Sequence, residues 1–135
     1  MSWKTSLIRI STYEVEMLQK RLAEVVERRW TVEMRLASLT AEAEAEAKHG
    51  LSNAEAGFYL IGFREGVRVR RLALEAELAA IEAEESGARD ALSEAFEALK
   101  KFEHVAESAR LAAAKEAGRR ETAELDEVGL RRAAR

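Results

Sequence analysis

Apolar residues in the first third of the chain fall on alternating steps of three and four. Ile8, Val15, Leu18, Leu22, Val25, Val32, Leu36 and Leu39 keep that rhythm, and Ser11 and Arg29 interrupt it. Such steps return a side chain to one helical face, so the pattern is the seam of a coiled coil sustained over several heptads. At a seam position Arg29 can lay its aliphatic stem along the edge with its head in water. A polar seam residue can also fix register.

This first helix is expected over about 5–48. Its last turn carries Lys48 and His49, where the dipole favours cations, and Gly50 suits the left-handed residue that closes a helix. Ser52 or Asn53 can then cap a second helix, and Ser52 with Glu55 has capping-box spacing. A turn at about 49–52 would make the two helices antiparallel neighbours.

The second arm repeats the stepping at Leu60, Val67, Leu74, Leu78, Ile81, Ala88, Leu92, Ala95, Leu99 and Phe102, interrupted by Arg64, Arg71 and Glu85. Glycines at 57, 62, 66 and 87 each weaken a helix by ~1 kcal/mol relative to alanine. No later pair of turn residues forces another reversal. One helix over about 53–131 follows, with a bend expected near Gly87. Gly62 and Gly66 suit either close packing near the tip or a bending or partner site.

Folding the arms about this turn places residue i opposite roughly residue 101 − i, so that Leu39 meets the Gly62 region and Ile8 meets Ala91 and Leu92. The first arm then runs out near residue 98. About 33 residues project beyond it, roughly 50 Å at 1.5 Å per residue. Their richness in Ala, Glu, Arg and Leu favours a helix that stands alone, while the seam positions fade to Ala106, Ala109 and Ala113. The expected fold is all-α: one long antiparallel two-helix coiled-coil hairpin, residues 1–135, with an overhanging C-terminal helix.

Composition agrees with this picture. The 135 residues include no proline and no cysteine, and aromatics make up 6%. Much of the 47% hydrophobic content is alanine, which adds little buried area per residue. The net charge of −3 gives no case for a nucleic-acid partner. Absence of cysteine fits a reducing compartment. The first residues lack the apolar core of a secretory signal, and no stretch is apolar enough for a transmembrane segment, so a soluble, cytoplasmic protein is expected.

Candidate chemistry is sparse. His49 and His104 lack companions at metal-ligand spacing, and GFREG lacks the Gly-Lys-Ser/Thr end of a phosphate loop. Two packed helices offer no cleft for a paired acid and base, so no enzyme activity, metal or cofactor is expected. Arg64, Arg68, Arg70 and Arg71 form a basic cluster that either steers an acidic partner or is a solvated face paired with Glu75 and Glu77. Of Phe58, Tyr59 and Phe63 only one can enter a two-helix seam, which leaves the others exposed or covered by a partner. Trp30 with Met34, and Tyr13 with Met17, lie off the seam and suit self-association or a partner patch. Leu125, Val128 and Leu130 sit among charges in the tail, where fraying is the plain alternative.

A proline-free hairpin with an overlong second helix resembles the FliJ family of flagellar export proteins, which belongs with the central stalk proteins of type III secretion. SLIRISTYEVEMLQKRLAEVVERR looks like that family's first helix, and ETAELDEVGLRRAAR is similar to its ending. The resemblance covers nearly the whole chain. It implies a non-catalytic stalk and chaperone that links the hexameric export ATPase to the FlhA-type export gate subunit and promotes ATPase activity. Leu125, Asp126, Glu127, Leu130, Arg131 and Arg132 would contact the ATPase. By position, Leu39, Phe63 and Val67 would contact the gate, with Tyr59 standing in for two family tyrosines that fall here on Glu42 and Glu46. Export chaperones are further partners the resemblance allows. It also implies a monomeric hairpin, cytoplasmic and peripheral to the inner membrane at the flagellar base. A structural coiled coil that assembles into a homo-oligomeric bundle is the alternative.

Overall fold

The computed structural model of the chain describes residues 2–50 and 54–134. Two α-helices carry them: α1 (Trp3–Gly50) and α2 (Ala54–Ala133). Ser2 caps α1, its Oγ accepting from the Thr5 amide at 3.3 Å and its carbonyl accepting from the Ser6 amide at 3.2 Å. Lys48 and His49 occupy the last turn of α1, and Glu55 the first turn of α2, as the helix dipoles favour. The chain forms two compact units, Glu16–Ser93 and Met1–Val15 with Glu94–Arg135.

In the unit Glu16–Ser93, α1 and α2 run antiparallel, and the heptad seam is the core. Val25, Val32 and Ile81 form its tightest cluster, flanked by Leu74 and Leu78, and Val25 is 1% exposed. Leu39, Leu60 and Val67 are also buried. Arg29 and Glu85, each an interruption of its own seam, meet across it with Nε donating to Oε1 at 2.9 Å. Arg29 Nη1 also donates to Glu33 Oε1 at 3.0 Å.

Four expectations change here. Gly50 is not left-handed: no described residue has a positive φ, and Gly50 is a buried residue of α1. Its lack of a side chain serves packing instead, since a methyl there would stand 2.6 Å from Leu60 Cδ2. Gly62 and Gly66 face open space, which removes the close-packing alternative for them. Arg64 does not take a seam step. It is exposed, and the neighbouring Phe63 is half-buried, because the steps through 60, 63 and 67 keep the rhythm with an apolar ring. The register also differs: Gly50 faces Leu60, and Arg29 faces Glu85 rather than the region of Leu72. α1 stays helical through Gly50, and the first turn and a half of α2 precedes Leu60, so every later contact moves along α2. His49 and Gly50 thus belong to α1, while the capping roles of Ser52 and Asn53 lie outside the described residues.

In the other unit, Ser11, Val15, Ala95 and Leu99 are buried, and Ile8, Phe102, Ala106 and Ala109 half-buried. The unpartnered part of α2 therefore begins past Ala109 rather than at residue 98. It covers residues 110–134, all exposed, roughly 37 Å of helix. α2 is unbroken through Gly87 and Gly118.

Candidate functional site

The exposed end of α2 holds its helix without tertiary contacts. Ion pairs one turn apart recur along it: Arg110–Glu107 at 2.7 Å, Arg120–Glu116 at 3.7 Å and Arg131–Glu127 at 3.1 Å. Such exposed pairs one turn apart each add a small, salt-screened increment to helix stability. The two-pronged hydrogen bond from Arg110 and its positive charge hold the Glu107 carboxyl below the ordinary range. Arg131 and Arg132 sit in the last turn, where they complement the dipole.

All six tail residues expected at an ATPase contact lie on this segment and are exposed. They do not share one face, because Leu125 and Leu130 are five residues apart and so point to nearly opposite sides. Leu125 aligns instead with Val128 and, one to four turns back, with Thr122, Gly118, Ala114 and Leu111. This stripe is the more continuous apolar feature, with Leu111 at 54% and Leu125 at 66% exposure. Leu111 escaped the reading of the sequence because it falls off the continuing a/d seam. Its spacing to Leu125 was the available signal.

Near the reversal, the four residues expected at a gate contact divide into two pairs. Leu39 and Val67 are buried in the seam. Tyr59 and Phe63 stack one turn apart, ring centroids 6.5 Å and planes 28° apart, with Tyr59 exposed. Phe58, 81% exposed, is the most accessible aromatic ring of the chain's described residues. Only Phe63 of the three aromatics enters the seam, as expected.

Charge beside the seam changes character along α1. Arg28 makes a two-pronged pair with Glu84 at 2.9 and 3.0 Å, and Arg21 reaches the same carboxylate at 2.9 Å. Those hydrogen bonds, with Arg28 the larger influence, hold the Glu84 carboxyl below its usual value. One heptad further on, Arg35 shares a groove of about 460 Å³ with Arg70, over a floor of Leu39, Ala73 and Leu74. Ser38 and Glu42 complete its walls. Among the described residues no carboxylate lies within ion-pair distance of Arg35 or Arg70; Arg70 Nε donates only to the Gly66 carbonyl, at 3.4 Å. Arg68 pairs with Glu65 at 2.6 Å, not with Glu75 or Glu77 as expected.

Among the described residues, no group of three or more histidine, cysteine or acidic side chains could hold a metal ion. No helix among them is long and apolar enough to cross a membrane.

No family model and no solved structure matches the chain. Two curated relatives do, each a flagellar FliJ protein of Caulobacter vibrioides, one from strain NA1000 / CB15N and one from strain ATCC 19089 / CB 15. Each is 57% identical over 132 residues, which span 98% of this chain and 95% of the relative. A match of that extent spans both helices, and it places the chain in the flagellar FliJ protein family.

Proposed function

We propose that this chain is a non-catalytic stalk and chaperone of the flagellar type III export apparatus, joining the hexameric export ATPase to a FlhA-type gate and promoting ATPase activity. One observation carries the reading: residues 110–133 remain helical, and every one of them is exposed. A helix that keeps its conformation alone but buries nothing is suited to a binding cavity supplied by another protein. Kinship with flagellar FliJ proteins supports a flagellar setting, which this reading takes to be the cytoplasmic base beside the inner membrane.

The ATPase contact is assigned to Leu125, Asp126, Glu127, Leu130, Arg131 and Arg132, now joined by Leu111. Exposed Leu111, Leu125 and Leu130 offer apolar anchors, while Arg131 and Arg132 supply planar donors. The gate contact is assigned to the Tyr59–Phe63 stack, with Leu39 and Val67 holding the helices beneath it. The Arg35–Arg70 groove adjoins that patch through Leu39 and favours a gate segment bearing a carboxylate.

The test compares the full chain with a truncation ending at Ala109, using affinity capture and ATP hydrolysis by the flagellar export ATPase. The expected result is that the full chain binds and stimulates while the truncation does neither. Equal behaviour of the two would remove the reading.

A further inference from the structure

The outer face of α2 carries a second heptad seam. Between residues 58 and 86 the steps of four and three recur, set apart from the seam that packs on α1. Phe58, Val69, Leu72, Ala76, Ala79 and Ala83 occupy it, with Gly62 and Glu65 at the intervening steps. All are exposed, and Phe58, Val69 and Leu72 are 81%, 53% and 54% accessible. The alternation of large residues in one half with alanines in the other lets a second helix lie close where its own large residues meet the alanines.

Charge decides what that helix is. Arg68 precedes Leu72 by four residues and Glu75 follows it by three, both flanking the stripe. A second copy of α2 laid antiparallel, with Leu72 against Leu72, sets each Arg68 opposite Glu75 of the other copy. The same two-fold axis sets Val69 near Ala76, Glu65 near Ala79 and Gly62 near Ala83. A parallel in-register pairing would instead set Glu65 against Glu65 within the seam and leave Arg68 and Glu75 opposite Ala73 and Ala80, so it opposes like charges and gains no ion pair. Arg68 now holds Glu65 within its own helix, an exposed pair that can be exchanged at small cost. Among the described residues Glu75 has no ion-pair partner.

We propose that the face of α2 over residues 58–86 is a homodimerisation surface, on which two copies pair antiparallel about Leu72 with reciprocal Arg68–Glu75 contacts. Its alanine-rich half buries little area, so the dimer is reversible and concentration-dependent rather than obligate. Pairing covers Phe58 and Ile61, next to the exposed Tyr59, so self-association and any contact made by the Tyr59–Phe63 stack exclude one another. The self-pairing stands on its own and does not rest on the export reading.

Sedimentation equilibrium of the full chain, from the low micromolar range upward at low salt, tests it. The expected result is a monomer–dimer equilibrium that Leu72→Glu and Arg68→Glu each weaken at least about tenfold, while Arg68→Glu with Glu75→Arg restores it. Circular dichroism checks that each variant keeps its helices, and Glu75→Arg alone serves as the second single variant. A monomer at every concentration overturns the proposal. So does a dimer indifferent to Leu72→Glu and Arg68→Glu, or one that the double charge swap fails to restore.

Discussion

Leu60 closes over Gly50 so tightly that a methyl group on the glycine would stand 2.6 Å from Leu60 Cδ2 and 3.3 Å from its Cβ and Cγ. Both residues are buried, and both are helical, so the contact is a helix-on-helix approach and not a turn. Two effects oppose each other on substitution. Alanine gains ~1 kcal/mol of helix propensity over glycine. Overpacking a buried contact costs about 1–3 kcal/mol. Gly50→Ala is therefore expected to destabilise by about 1 kcal/mol net, and Gly50→Val by more. Gly87→Ala, where nothing lies within 4 Å, should instead stabilise by up to ~1 kcal/mol. Urea denaturation of the three variants separates the signs.

Arg29 and Glu85 invite a double-mutant cycle. Their side chains are 27% and 16% exposed, so each is partly desolvated and held by the other. Removing one partner, as in Glu85→Ala, should lower the unfolding midpoint, because the remaining charge stays partly desolvated and loses its pair. Replacing both by leucine should recover that loss and raise the unfolding midpoint above that of the natural chain.

The acid limb of stability follows from Glu84. Hydrogen bonding from Arg28 lowers its folded-state pKa, so its contribution is fully present above the ordinary glutamate value of about 4.3 and is lost as pH falls through the lowered value. Glu84→Gln should flatten the decline of the thermal midpoint below pH about 4 while lowering the plateau near neutrality. An unchanged acid slope would show that the pair carries no linkage.

Arg35 faces the unlike fate of Arg28, sharing a groove with another arginine. Arg35→Glu should remove repulsion and stabilise by about 0.3–0.5 kcal/mol at low salt, a gain that shrinks as ionic strength rises. The same change should weaken capture of an acidic gate segment.

Residues 110–134 bury nothing, so a chain ending at Ala109 should unfold within about 0.5 kcal/mol of the full chain. Amides of that segment should exchange with little protection, whereas those beside Val25, Val32 and Ile81 exchange only through cooperative opening. Hydrogen exchange with mass readout measures both.

The seam of α1 was legible in the sequence because eight large apolar residues keep one rhythm, and all eight are buried or half-buried. α2 was less so. Its alanines carry weak hydrophobic signal, and Arg64 and Phe63 compete for one step that only packing resolves. Register escaped because it depends on where the two backbones first touch. Glycine at 50 reads equally well as a left-handed cap or as a space for Leu60. Arg29 and Glu85 were each visible as flaws, and each looked like a cost until the other was opposite it. The exposed placement of the tail residues was legible from composition, but their division between two faces, and the alignment of Leu111 with Leu125, needed the helix to be traced in full.

The Arg29–Glu85 contact also determines how α1 and α2 can come apart. Shifting one helix past the other by a heptad would set Arg29 against Leu78 or Leu92 and Glu85 against Leu22 or Leu36. Either arrangement strands two charges among leucines. Translation along the seam is thus blocked at both neighbouring registers, and the helices must separate by peeling from an end. Force applied along the axis would then meet a stiff strut, while force applied across it would meet a zipper.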